Sequence, residues 1–175
     1  FANPGSHEFP VDVEKIRPVA RTADVVSVTI MNYGRAFLPM LQGMGKPIWI
    51  DIHDYDGVNL HHQEFIEAAD FLFMSSQLHP GWRGFLEDRV GAGTTVAVAT
   101  HGAAGASGIT ASEGWIEVEA LPPRQMVDTN GAGDAFFAGF AVEWMGRANL
   151  RAALEAGALH ASQAVASPDL APPHP

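Results

Sequence analysis

Val127-Asp128-Thr129-Asn130-Gly131-Ala132-Gly133-Asp134-Ala135-Phe136 places two glycines around an alanine, directly ahead of a strongly amphipathic run. Small residues let backbone approach a ligand closely, and the free N–H groups at a helix start form an anion site. A phosphate held there needs no lysine, which suits a chain with 10 Lys+Arg against 20 Asp+Glu. Asp134 falls in the first helical turn, where the helix dipole favours its ionised form. A carboxylate beside a bound phosphate is repelled by it, so the pairing is unfavourable unless the carboxylate has a task. Accepting a proton from a hydroxyl that attacks phosphorus is such a task. The bland alternative is a helix acid behind a tight glycine turn.

Downstream, Ala135 to Met145 puts Phe136, Phe137, Phe140, Ala141 and Trp144 on one helical face, and the Phe stripe reads as core packing. Leu150 to Ala166 does the same with Leu154, Ala158, Ala161 and Val165, before an irregular, proline-bearing tail over 167–175. Upstream, short apolar runs alternate with helical ones. Ala23–Ile30 reads as a strand buried on both faces, Gly34–Gly45 as a helix, and Lys46–Asp51 as a strand. A helix over 60–69, a strand Asp70–Met74, a helix Trp82–Val90 and a strand Thr94–Thr100 follow. Ala106–Thr110 and Trp115–Glu119 flank a Ser112-Glu113-Gly114 turn and predict an antiparallel hairpin. Repeated βα units of this kind make an α/β fold with a mostly parallel sheet. Residues 1 to 22 read as a loop entering a short helix, and the 175 residues as one domain.

The formal charge of −10 argues against a nucleic-acid partner, whose phosphates call for a basic face. No apolar run reaches the roughly 20 residues that span a bilayer, and no signal peptide is recognisable, so no membrane is expected. Zero cysteines exclude disulfides, thiolate zinc sites and a cysteine nucleophile, and fit a reducing, cytoplasmic setting.

The string Asp128 to Phe136 closely resembles the signature of the ribokinase-like carbohydrate kinases, the PfkB family. Thr100-His101-Gly102-Ala103-Ala104-Gly105 resembles that family's T-x-G-x-x-G turn, and the strand–helix alternation from Ala23 resembles its nucleotide-binding core. The resemblance implies a three-layer ribokinase-like fold and ATP-dependent, Mg²⁺-assisted phosphoryl transfer to a sugar hydroxyl. It implies Asp134 as general base and Gly131, Ala132, Gly133 and Asp134 amides as the anion hole. Thr100, Gly102, Gly105, Asp128 and Thr129 would lie along the nucleotide. Ala158, Ala161 and Ser162 would together form one wall of the adenine pocket. No direct metal ligand is implied; Asp128 and Thr129 would reach Mg²⁺ or the nucleotide through water.

Two departures stand out. Ser75-Ser76-Gln77-Leu78 occupies the place of the family's N-x-x-E pattern, which helps to organise Mg²⁺. Family members are also longer, so the N-terminal strands, the lid and most sugar-binding groups are expected to be missing, the full-length protein pairing as a homodimer. On that expectation the segment alone is inactive or nearly so.

Asn32 and Asp51 follow or end strands on the ligand-facing side of the sheet and are candidates for the acceptor pocket or, for Asp51, the neighbourhood of ATP and Mg²⁺. Asp51-Ile52-His53-Asp54-Tyr55-Asp56 with His61 and His62 also admits a metal-site reading, against a polar loop in which Asp54 or Asp56 caps a turn. His101 reads as solvent-facing. A nucleoside kinase, a non-catalytic nucleotide-binding remnant and a metal-dependent enzyme centred on His53 and Asp54 stay open as alternatives.

Overall fold

In the computed structural model, which describes residues 11–168, the strands β1 (Val26–Ser27), β2 (Ile48–Asp51), β3 (Phe71–Ser75) and β4 (Val96–Thr100) run parallel. The hairpin β5 (Ala106–Thr110) and β6 (Gly114–Val118) extends the same sheet in antiparallel fashion, in the order β1-β2-β3-β4-β5-β6. The helices are α1 (Val13–Thr22), α2 (Leu38–Gly43), α3 (Gln63–Ala68), α4 (Trp82–Gly91), α5 (Ala132–Arg147) and α6 (Leu150–Val165). Residues 1–10, and the expected tail beyond residue 168, lie outside the described residues.

Side chains alternate across a strand, and here the alternation sorts the core into two layers. Ile48, Ile50, Leu72, Met74, Ala97 and Ala99 pack on the face covered by α2, α3 and α4. Trp49, Phe71, Phe73, Val96 and Val98 pack on the opposite face against Phe136, Phe140, Leu150 and Leu154 of α5 and α6. Trp49 stacks on Phe71 with ring centroids 3.8 Å apart, and Phe73 meets Phe140 edge-on at 5.1 Å. Helix, sheet and helix therefore form three layers, as the family resemblance implies, around the mostly parallel sheet that the alternating runs predict. The Phe136 and Phe140 stripe is core, as its spacing implies.

Three local expectations are corrected. The strand expected over Ala23–Ile30 is reduced to Val26–Ser27, and it is not buried on both faces. It is the outer strand among the described residues, paired on one side only, so its burial comes from a single neighbour. The helix expected from Gly34 begins as a 3₁₀ turn, Asn32–Phe37, and becomes α-helical only at Leu38, where Pro39 sits in the first turn and its missing N–H leaves no bond unmade. The helix over 60–69 likewise opens with a 3₁₀ turn, Leu60–His62, capped by the Asn59 side chain.

Candidate active site

Parallel strands bring their carboxyl ends to one edge of the sheet, so Asp51, Ser75 and Thr100, the last residues of β2, β3 and β4, share that edge. The 127–134 loop is fixed from the other side. The Val127 and Asp128 amides donate to the Val165 carbonyl at the end of α6, at 2.9 and 3.3 Å. Asp128 Oδ1 accepts from the Asn130 amide at 2.9 Å, closing an Asx turn. Gly131 then takes φ +74°, a left-handed conformation that favours glycine, and aims the chain into α5.

The first-turn amides of a helix have no intrahelical acceptor. At α5 the Ala132 amide turns back to the Thr129 carbonyl at 3.3 Å, which leaves those of Gly133 and Asp134 as the open donors of that turn. A Cβ built on Gly133 would meet nothing within 4 Å, so the helix start is open on that side. Asp134 is exposed beside them. That is the chemistry of an anion cradle with a carboxylate at its rim.

Asp51 comes close enough to Asp134 for the two charges to interact. Burial pushes the Asp51 carboxyl above the usual carboxylate range, and the charges of Asp134 and Asp54 push the same way. His53 opposes them: its amide donates to Asp51 Oδ1 at 2.7 Å and its Nδ1 lies 3.9 Å from Oδ2.

Thr100, Gly102 and Gly105 lie on the turn between β4 and β5, closed by the His101 amide donating to the Gly105 carbonyl at 2.8 Å. His101 is not solvent-facing, contrary to expectation. Its Nδ1 lies 2.8 Å from Ser76 Oγ, its Nε2 lies 2.8 Å from the buried Ser107 Oγ, and its ring rests on Trp82. Burial lowers its pKa below the ordinary imidazole value; Glu117 on β6 opposes this and Arg83 on α4 adds to it. On α6, Ala158 is buried in the core layer, while Ala161 and Ser162 are half-buried.

Asn32 lies in the turn after β1, its Oδ1 accepting from Arg35 Nη1 at 2.6 Å. The same guanidinium bonds His61, whose Nε2 lies 2.6 Å from the Ile30 carbonyl, and its plane covers Phe65. The 52–62 segment is a polar loop held by its own caps: Asp56 Oδ1 accepts from the Val58 and Asn59 amides. Among the described residues no group of three or more His, Cys, Asp or Glu side chains is placed to hold a metal. Nor, among them, is any helix long and apolar enough to cross a membrane. A hollow of about 420 Å³ opens at the opposite, amino end of the strands, lined by Lys46, Asp70, Arg89 and Thr95, none of them a site candidate.

Ser107 and Arg35 were not singled out by the sequence. Ser107 meets the ring of His101 across the turn before β5 and Arg35 reaches His61 in a distant loop; of these contacts only the spacing Asn32–Arg35, one helical turn, is a local signal.

Residues 86–175 match the pfkB family carbohydrate kinases. The chain is 28% identical to the acarbose 7(IV)-phosphotransferase of Actinoplanes sp. over 82% of its own length and 49% of that protein's. It is 28% identical to the fructoselysine 6-kinase of Shigella flexneri over 81% of its length and 54% of the relative's. The chain thus spans about half the length of these curated relatives. A microbiome-derived acarbose kinase superposes with a TM-score of 0.83 at 30% identity, over 91% of this chain and 55% of that one. Arabidopsis thaliana ribokinase, solved with ribose and ATP, shares the fold at a TM-score of 0.72 and 21% identity, over 89% of this chain and 54% of that one.

Proposed function

The chain belongs to the pfkB family of carbohydrate kinases, and from that premise we propose that it forms the nucleotide-side part of an enzyme transferring the terminal phosphoryl group of ATP to a sugar hydroxyl. The observation that carries the reading is the start of α5, where the open Gly133 and Asp134 amides and the exposed Asp134 carboxylate stand side by side. In this reading the amides, with Gly131 and Ala132 shaping the turn, hold the phosphates where negative charge accumulates during transfer. Asp134 takes the proton of the acceptor hydroxyl as that oxygen bonds the γ-phosphorus; the bond from phosphorus to the bridging oxygen breaks and ADP leaves.

Thr100, Gly102 and Gly105 carry the nucleotide along the β4–β5 turn, and Asp128 and Thr129 hold the loop over it. Ala161 and Ser162 face the base, with Ala158 packed behind them. The loop also suits Mg²⁺ held through water, since the Asp128 carboxylate and the Thr129 hydroxyl would lie on the phosphate side. Bound with the nucleotide, the ion neutralises phosphate charge. Asn32 and Asp51 stand on the acceptor side. A carbohydrate acceptor is favoured over a nucleoside because the relatives at 28–30% identity are named for carbohydrate phosphorylation.

The test is the full-length polypeptide with Mg·ATP and a panel of sugars and nucleosides that includes acarbose and fructoselysine. ADP is expected only with a phosphorylated sugar alongside it. Asp134→Asn should lower kcat by about 10²–10⁴ while ATP binding persists. Normal turnover by that variant rejects the base assignment. ATP binding with no phosphorylated product from any acceptor supports a nucleotide-binding remnant instead.

A further inference from the structure

We propose that His101 is a positioning residue for the nucleotide: its imidazole pins the Thr100–Gly105 turn to the end of β3 and to β5 through the hydroxyls of Ser76 and Ser107. The proposal rests on the kinase reading above, because it concerns the turn along which the nucleotide lies.

The geometry makes the case. A neutral imidazole has one donor and one acceptor nitrogen, and a serine hydroxyl can serve either. With Ser76 Oγ and Ser107 Oγ each 2.8 Å from a ring nitrogen, both sides of the ring are satisfied at once. The three partners come from three segments: Ser76 from the loop after β3, His101 from the turn after β4, and Ser107 from within β5. Backbone bonds tie the same places, Ser76 N to the Thr100 carbonyl at 3.0 Å and His101 N to the Gly105 carbonyl at 2.8 Å. The ring itself is wedged against Trp82 at 4.7 Å. Trp82 in turn meets Trp115 edge-on at 5.6 Å, and Arg83 lies over Trp115 at 4.3 Å while pairing with Glu117 at 2.8 Å. The charged groups that face His101 are thus Arg83 from α4 and Glu117 from β6, opposite in sign and paired with each other, so burial dominates and the ring stays neutral.

Without this clamp the turn between β4 and β5 has only its own short backbone bonds and samples other shapes. An apparent dissociation constant rises in inverse proportion to the competent fraction. Loss of the clamp therefore weakens ATP binding and leaves the chemical step, made at α5, alone.

Three measurements on the full-length protein decide it. ¹⁵N spectra of the wild-type ring should show one fixed neutral tautomer that persists at pH values below the ordinary imidazole range, and Ser76→Ala or Ser107→Ala should perturb it. His101→Phe should raise the dissociation constant and KM for ATP about tenfold, with kcat and the sugar KM within twofold, and His101→Gln should recover most of the loss. Thermal melts of each variant identify any that is misfolded; Ser107→Ala, the smallest change, carries the argument if His101→Phe does not fold. An ordinary, freely titrating ring, an unchanged ATP affinity in His101→Phe and Ser107→Ala, or equal loss in kcat and both KM values overturns the clamp while leaving the kinase reading standing. Wild-type protein that binds ATP but phosphorylates nothing overturns the kinase reading alone, and the clamp is then judged on ATP affinity. Wild-type protein that binds no ATP overturns both.

Discussion

The charge of the Asp134 carboxylate at the start of α5 reaches the Asp51 carboxyl at the end of β2, far from it in sequence, across the edge of the sheet. Burial is the larger cause of the raised Asp51 pKa, and Asp134 adds to it. A folded state that raises a carboxyl pKa favours the protonated group, so the stability this group contributes is present on the acid side and is lost as pH rises through its folded pKa. At neutral pH an ionised Asp51 therefore destabilises the chain.

Asp51→Asn keeps an oxygen for the His53 amide and removes the charge. It is expected to raise stability at pH 7 by up to about 1 kcal/mol, the advantage shrinking as pH falls, while reducing turnover. Denaturant midpoints of both proteins at pH 5 and pH 7 check the sign; a destabilised variant at pH 7 contradicts it.

Gly133 separates the demands of folding from those of binding. Its Cβ position is open, and alanine is the better helix former by up to about 1 kcal/mol. Gly133→Ala should leave the melting temperature unchanged or slightly raised, yet weaken ATP binding by placing a methyl group in front of the open amides. Calorimetric titration with Mg·ATP beside a thermal melt measures the two effects independently.

Gly157 is the opposite case. A Cβ there would sit 2.9–3.0 Å from three ring carbons of Phe136, which is buried and cannot retreat. Gly157→Ala should destabilise by about 1–3 kcal/mol despite its better helix propensity, through separation of α6 from α5. Urea unfolding gives the value; an unchanged midpoint would mean that the two helices slide apart at little cost.

His62 and His101 are both held below the ordinary imidazole pKa, chiefly by burial. Their sign is opposite to that of Asp51. The stability they contribute is complete above the unfolded imidazole pKa and is lost as pH falls through their lower folded values. His62 packs on Tyr55 at 5.1 Å, and its buried Nδ1 has no hydrogen-bond partner among the described residues. His62→Leu should therefore soften the loss of stability between pH 7 and pH 5 without altering kcat. Parallel denaturation curves for wild type and variant at both pH values test this.

The three-layer arrangement was legible in the sequence because β2, β3 and β4 are continuous apolar runs with both faces buried, a pattern that loops and surface helices do not share. The hairpin was legible as two short strands flanking the Ser112-Glu113-Gly114 turn. The Ala23–Ile30 run misled because β-branched residues mark strand preference and not the number of neighbours; only pairing decides how far a strand extends. The left-handed turn at Gly131 and the helix start that carries Asp134 were legible because both depend on local backbone. His101 was not, because an imidazole is satisfied by whatever lies across the chain fold, and nothing near position 101 announces the hydroxyl of Ser76. The same reason hid Arg35, whose partners span the turn after β1 and the loop before α3.

Gly105 has φ +100°, and a Cβ on it would run into the Val118 carbonyl oxygen on the neighbouring strand. The last glycine of the T-x-G-x-x-G turn is thus required for seating the hairpin, whatever occupies the cleft above it. Any related chain that keeps this shape should keep this glycine, whatever its activity. In surveys of related chains, survival of Gly105 therefore signals an intact scaffold and carries no information about activity.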